Sequence, residues 1–271
     1  MYKALVSDFD GTLASDDKSV TSENLEAIRK LLDSGKHFAL CTGRMTESAK
    51  MIVKNLPFKP LVATHNGCEI FDSSTGEVLV KHCLKPEILL KLIEYGKSQN
   101  AHYHIFDDEV VVEKIDAVTE FYCNICKVNP REVGDLYEYV KNTCATSPKF
   151  MLININGGLE KNIEDIKRLF GDEVEVMKCY EGMLDVTPKG IDKGFATREL
   201  ARLWGISEKE CVCVGDEGND VAMLKTAGVG VCMKNADDWV KKEADYVTIN
   251  DNNSSGVAEV IYKFLLSGEN K

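Results

Sequence analysis

The chain predicts an α/β protein: a parallel-sheet core interrupted by an inserted α+β unit. Three observations carry that expectation. At both ends of the chain short apolar runs alternate with helical patterns, the order that builds a parallel sheet with right-handed crossovers. The middle of the chain breaks this alternation with hairpin signals. The length of 271 residues suits one large domain or two smaller ones.

Element by element, Tyr2 to Ser7 is a short apolar run read as a central strand. Thr21 caps a helix whose apolar face is Leu25, Ile28, Leu31 and Leu32, stopped by Gly35. His37 to Cys41 is the next strand. Thr46 caps a helix carrying Ala49, Ile52, Val53 and Leu56, which stops at Pro57. Leu61 to Ala63 is a third strand. Glu69 to Asp72 and Glu77 to His82 then form a hairpin across Ser73-Ser74-Thr75-Gly76.

From about Cys83 to Thr187 the pattern is α+β. Leu89, Leu92 and Ile93 mark a helix ending near Tyr95-Gly96, and Tyr103 to Phe106 pairs with Val110 to Glu113. A helix covers Ala117 to Cys126. Strand Phe150 to Asn156, a helix through Ile163, Ile166 and Leu169, and strand Val174 to Cys179 complete the unit. Pro188 and Gly190 mark the return. A helix follows from Asp192 to Trp204, then strand Cys211 to Val214, a helix from Asn219, strands Gly228 to Cys232 and Tyr246 to Thr248, and a last helix from Val257 to Leu266. The expected division is a discontinuous core, 1–82 with 188–271, and an insert, 83–187. No internal repeat or low-complexity segment stands out.

Composition narrows the function. The 33 basic and 44 acidic residues leave a formal net charge of −11, which disfavours nucleic acid and anionic membrane as partners. A small anionic substrate stays open, because a local cluster of Lys, Arg and metal overrides the global field. No run approaches the roughly 18 apolar residues of a membrane span. The start, Met1-Tyr2-Lys3-Ala4-Leu5-Val6, is too short for a signal peptide. The expected location is the cytoplasm, and ten cysteines without a secretory signal imply a reducing compartment. Cys123 and Cys126 form a lone C-x-x-C on one face of the expected helix; packing explains them more simply than zinc or redox chemistry.

Two segments 200 residues apart carry the chemistry. Ser7-Asp8-Phe9-Asp10-Gly11-Thr12-Leu13 follows the first strand, and Val214-Gly215-Asp216-Glu217-Gly218-Asn219-Asp220 follows a later one. Both place carboxylates at the strand ends where α/β sheets bind ligands. Acids packed there repel unless a cation holds them, and Mg²⁺ suits few hard oxygen ligands shared with a substrate phosphate. Thr42-Gly43-Arg44 and Lys193 lie between and supply hydrogen-bond donors that suit a phosphate. Asp8 is the candidate nucleophile, able to form an aspartyl-phosphate. Phosphate monoester hydrolysis demands a rate enhancement of up to about 10²¹-fold, most of it from positioning and charge neutralisation.

Asp8-Phe9-Asp10-Gly11-Thr12, Thr42 within Leu40-Cys41-Thr42-Gly43-Arg44, Lys193 within Lys189-Gly190-Ile191-Asp192-Lys193-Gly194, and Gly215-Asp216-Glu217-Gly218-Asn219-Asp220 occur in the order of four short motifs. Together they resemble the haloacid dehalogenase-like hydrolases. The long gap before Lys193, Asn66-Gly67, and the tail Ala244-Asp245-Tyr246-Val247-Thr248 with Ser255-Gly256-Val257 are similar to the Cof-type subfamily, whose large α/β cap sits in that gap. The resemblance covers nearly the whole chain outside the cap interior. It implies a Rossmann-like core with a type II cap. It makes Asp10 the general acid/base, with its main-chain carbonyl on the metal, and gives Asn66 a substrate contact.

Each residue has a plainer alternative. Asp10 also suits an Asx turn ahead of Gly11. Asp216 reads as a direct metal ligand beside Asp8, and Asp220 and Asn219 as outer-shell or phosphate-side groups, while Asp and Asn at a helix start also serve as ordinary caps. The Thr42 hydroxyl and the Gly43 N–H suit a phosphoryl oxygen or a plain N-cap. Arg44 reads equally as an anion fork or a surface arginine, and Asn66 as a substrate contact or a turn. Lys193 falls in a first helical turn where positive charge opposes the macrodipole, so it needs an anionic partner; Lys189 is its rival. Glu217 is given no role. The reading is a Mg²⁺-dependent phosphatase acting on small phosphorylated metabolites such as sugar phosphates. A phosphomutase on sugar phosphates, or a non-catalytic sensor of a phosphorylated ligand, are the alternatives.

Overall fold

The computed structural model describes residues 1–154, 157–180 and 182–267, apart from the Tyr180 side chain. In chain order its elements are β1 (Ala4–Ser7), α1 (Ser22–Asp33), β2 (His37–Cys41), α2 (Thr46–Lys54), β3 (Leu61–Thr64), β4 (Glu69–Asp72) and β5 (Val78–Lys81). Then come α3 (Pro86–Ser98), β6 (His102–Phe106), β7 (Val110–Val112), α4 (Ala117–Cys126), β8 (Pro130–Glu132), α5 (Leu136–Thr143), β9 (Phe150–Ile153), α6 (Leu159–Phe170), β10 (Val174–Tyr180) and β11 (Met183–Pro188). The chain closes with α7 (Lys193–Trp204), β12 (Cys211–Gly215), α8 (Val221–Thr226), β13 (Val229–Cys232), α9 (Asp238–Lys241), β14 (Tyr246–Val247) and α10 (Gly256–Val260).

Two sheets result. The first has the order β14-β13-β12-β1-β2-β3-β4-β5, parallel from β14 to β3 and antiparallel beyond. Its central strands are buried on both faces, as their unbroken apolar runs require. Ile28 and Leu31 of α1, Val53 of α2 and Val257 of α10 cover one face. Ala196 and Leu200 of α7 with Met223 and Leu224 of α8 cover the other. Strand order runs outward in both directions from β1 and β12. The loops after their C-terminal ends therefore open a crevice at the switch point.

The second sheet, β10-β11-β9-β6-β7-β8, uses only strands from the middle of the chain. Side chains alternate along it. Phe150, Leu152, Leu184 and Val186 face α3, α5 and α6. Met151, Ile153 and Met183 face the opposite way, packing with Tyr122 and Cys123 of α4 and with Met45 from the first unit.

Several expectations need correction. Thr46 is the first residue of α2, not its N-cap. His65 Nε2 accepts the Thr46 N–H at 3.3 Å, and the Thr46 hydroxyl goes to Thr64 and Glu69. In α6 Leu169 is 49% exposed while Phe170 is buried, so the apolar stripe ends one residue later. The hairpin and edge segments β8 and β11, and helices α5 and α9, had no counterpart in the sequence reading. The last helix is α only to Val260 and widens into a π turn over Ile261–Leu265. The expected end of strand Phe150 to Asn156 lies outside the described residues. No helix among them is long and apolar enough to cross a membrane.

Candidate active site

Four loops at the C-terminal edge of the first sheet build the site. Asp8 follows β1 directly, its N–H bonded to the Val214 carbonyl of β12 at 2.9 Å. Asp216 follows β12. Thr42, Gly43 and Arg44 follow β2, and this loop is tied to the one after β3, since His65 N–H reaches Arg44 O and Asn66 N–H reaches Thr42 O. His65 and Asn66 both take left-handed φ angles, 50° and 58°, which turns Asn66 inward.

Lys193 opens α7, whose N-cap Asp192 accepts the Phe195 N–H at 2.7 Å. Its ammonium sits 2.7 Å from Asp8 Oδ1 and 2.5 Å from Asp220 Oδ1, with all three side chains buried. Burial would lower the lysine, but Asp220 and Asp8 outweigh it, offset the charge that the helix end disfavours and hold the lysine above its ordinary range. Lys189 instead points to Glu175 at the surface. Asp220 Oδ2 accepts the N–H groups of Asp216 and Glu217, both at 2.9 Å. It therefore closes its own loop and aims Lys193, with both oxygens engaged.

Asp8, Asp216 and Asp220 bring potential ligand oxygens within 4.8 Å of one another, the only such group among the described residues. Burial and the neighbouring acids raise Asp8 well above the ordinary carboxylate range, against the opposing effect of Lys193. Burial, then Asp220, pushes Asp216 up to about 7. Carboxylates so crowded with one lysine lack positive charge. A hard divalent cation held by Asp8 and Asp216 fits that deficit, with Asp220 behind. Thr12 Oγ1 orients Asp216 at 2.6 Å.

Asp10 faces elsewhere. Arg44 grips it with two bonds, Nε to Oδ2 at 2.6 Å and Nη2 to Oδ1 at 2.7 Å, and Lys18 adds a third at 2.9 Å. Burial would raise its carboxyl, but Arg44 and Lys18 outweigh burial and hold it low. Arg44 is not a loose surface side chain, and it lines the cavity. It is committed to Asp10 and to Ser48. Asn219 Nδ2 reaches Asn66 Oδ1 at 3.1 Å, so those two amides share one contact beside Gly43.

The crevice is roofed. A cavity of about 530 Å³ has Asp8, Asp10, Thr42, Lys193, Asp216 and Asn219 in its floor, and Tyr122, Ile125, Met151, Met183, Lys149 and Asp185 from the inserted unit above. The sequence led to the expectation of a cap but did not reveal which of its residues line the cavity. Their signal was the alternation Met183-Leu184-Asp185-Val186, in which a carboxylate shares the face of Met183. Cys123 is buried in the roof packing, and its thiol is pushed up to about 11 by burial. Together with its place outside the three-oxygen group, this suits packing rather than chemistry.

Residues 5–261 match the family model described as haloacid dehalogenase-like hydrolase. The chain belongs to that family. Its fold matches a haloacid dehalogenase-like hydrolase from Bacteroides thetaiotaomicron, with TM-score 0.82 and 30% identity over 96% of this chain and 98% of that one. It also matches the subclass IIB sugar phosphatase BT4131, with TM-score 0.81 and 25% identity over 97% and 98% of the two chains. In sequence it is 27% identical to the 5-amino-6-(5-phospho-D-ribitylamino)uracil phosphatase YwtE of Bacillus subtilis, over 98% of this chain and 99% of that one. This haloacid dehalogenase-like chain is an enzyme of the phosphatase type.

Proposed function

We propose that the protein is a Mg²⁺-dependent phosphatase that hydrolyses small phosphorylated metabolites through an aspartyl-phosphate, with residues 83–187 as the cap over its site. The observation that carries this reading is the buried triad of Asp8, Lys193 and Asp220 beside Asp216. It offers one carboxylate oxygen for attack, one fixed ammonium for the phosphoryl group, and an acidic pocket for a cation.

An oxygen of Asp8 attacks phosphorus while the ester P–O bond breaks, and Asp10 gives its proton to the departing alkoxide, releasing the alcohol. Water then attacks phosphorus, the Asp10 carboxylate takes its proton, and the P–O bond to Asp8 breaks to free phosphate. Asp8, Asp216 and the Asp10 carbonyl would hold a Mg²⁺, which would supply charge neutralisation of the phosphoryl oxygens. Lys193, the Thr42 hydroxyl and the Gly43 N–H hold those oxygens in place. As the acid of the first step Asp10 needs its proton, whereas the grip of Arg44 favours the carboxylate. The incoming ester is itself an anion and competes for Arg44, which relaxes that grip.

The roof selects the leaving group. Tyr122, Ile125, Met151 and Met183 offer an apolar, polarisable face that suits a substrate with a flat or partly apolar body. The uracil derivative named for YwtE and the sugar phosphates implied for BT4131 bracket the range. The test is phosphate release from a panel of phosphorylated sugars and heterocycles, with Mg²⁺ or EDTA, in wild type and Asp8→Asn. We expect release that needs Mg²⁺ and drops at least about 10³-fold in the variant with its melting temperature retained. Undiminished release by Asp8→Asn would refute the nucleophile. An isomeric ester in place of free phosphate would identify a mutase.

A further inference from the structure

Two charges that the chemistry above does not use lie buried in the cap. Lys149 and Asp185 are 2% and 1% exposed and 2.8 Å apart. Sheet alternation turns both towards the cavity, Lys149 on the face of Met151 and Asp185 on that of Met183. Burying such a pair seldom stabilises a protein more than apolar residues of the same volume, so stability alone does not account for it. What distinguishes this pair is where its remaining contacts go, for each leads out of the cap and into the core.

The Lys149 ammonium donates to the Gly43 carbonyl at 3.1 Å, across 106 residues of chain. Asp185 Oδ2 accepts from Asn66 Nδ2 at 2.8 Å, and Asn66 Oδ1 accepts in turn from Asn219. The pair thus reaches the loops after β2, β3 and β12 together. The peptide that Lys149 grips is Gly43–Arg44. Its N–H, on Arg44, donates to Thr42 Oγ1 at 3.2 Å. The ammonium polarises this peptide from the carbonyl end, and the Thr42 oxygen, already accepting, keeps its own hydrogen for a ligand. On the other side Gly43 is hemmed in, since a Cβ there would lie 3.1 Å from Asn66 Oδ1 and 3.5 Å from Asn219 Nδ2.

We propose that Lys149 and Asp185 are positioning residues: the buried charge pair of the cap fixes the Thr42–Gly43–Arg44 loop, so that the loop grips a phosphoryl group fully only while the cap is seated. The inference rests on the phosphatase reading, which makes that loop the phosphate cradle. The coupling is reciprocal: whatever orders the loop around phosphate also seats the cap.

The test is the full-length double variant Lys149→Met/Asp185→Asn with Mg²⁺. Removing both charges leaves no unpaired ion in the interior, and the introduced amide oxygen would still accept from Asn66. Inorganic phosphate, as a competitive inhibitor of p-nitrophenyl phosphate hydrolysis, is the probe. We expect its Ki to rise about tenfold or more, the effect of one hydrogen bond to a charged group. We expect kcat/KM to fall by a similar factor for every ester, whatever its leaving group. An unchanged Ki in the folded variant would overturn the proposal and leave the pair a structural element. A loss confined to particular leaving groups would overturn it as well, making the pair a specificity contact. A second measurement needs no variant: amide exchange of wild type with and without Mg²⁺ plus phosphate. Segments 42–46 and 147–153 should slow together, and slowing of 42–46 alone would count against the coupling. A wild type inactive on every monoester would sink the phosphatase reading itself, a different outcome from either.

Discussion

Gly11 stands where the turn after Asp10 takes a left-handed φ of +73°, and a Cβ there would clash with Asp216 Oδ2. Gly11→Ala therefore strains the turn by about 1 kcal/mol and pushes aside a proposed metal ligand. Activity measured against Mg²⁺ concentration should show a demand raised by about tenfold or more; an unchanged Mg²⁺ requirement would argue that Asp216 does not hold the cation. At this scale the sequence was informative wherever short spacing carried the chemistry. Asp8, Lys193, Asp216 and Asp220 were legible because each motif is local and the spacing to a strand end sets its direction. The partner of Arg44 was not, because a long side chain ahead of a helix reaches in many directions, and only the fold brings Asp10 under it. Lys149 and Asp185 were silent because their meaning lies in contacts 106 and 119 residues away.

Among the elements, α7 couples local structure to the site most directly. Its N-cap Asp192 fixes the first turn, and the first turn fixes Lys193. Asp192→Ala should cost about 1 kcal/mol and lower the melting temperature by about 2–4 °C. It should also cut kcat/KM several-fold through a looser Lys193. Calorimetry and steady-state kinetics on the same sample check both, and an intact melting temperature would show that the cap bond contributes nothing. The elements that sequence reasoning placed well, such as α1 behind its Thr21 cap and the buried strands β1, β2 and β12, have strong local signals. Those it missed lack them. The strand β8 is a three-residue edge piece containing Pro130 and two charged residues. In β11 the charge of Asp185 breaks an apolar run, and in α2 the cap comes from His65 on another loop.

Across the whole molecule, burial sets the response to acid. Burial, followed by nearby lysine charge, holds His65 well below the usual imidazole range, and burial followed by His102 does the same for His104. In the unfolded chain such groups take up protons below about pH 6.5, while the native forms stay neutral. The unfolded state then binds more protons, so stability present above that pH is lost as pH falls. Relative to wild type, His104→Gln should gain up to about 1.4 kcal/mol per pH unit between pH 6.5 and 5, read from urea melts at three pH values. Parallel melting curves would mean that His104 titrates normally in the native protein. The two-sheet plan itself was readable, because the βα alternation at both ends of the chain is interrupted by an α+β stretch in the middle, whose strands form the second sheet. The seating of one sheet over the other was not, since it depends on cross-sheet contacts such as Met45 within the packing of Tyr122 and Met151. That seating limits how freely the two units can be exchanged. The insert leaves after β5 and returns before α7, so a different insert can be spliced there without cutting the chain elsewhere. If that loop is the phosphate cradle proposed above, a transplant that omits a donor for the Gly43 carbonyl would carry a new substrate preference onto a loosened cradle. On that reading, swapping the inserted unit means bringing along two buried charges, or engineering their replacement into the host.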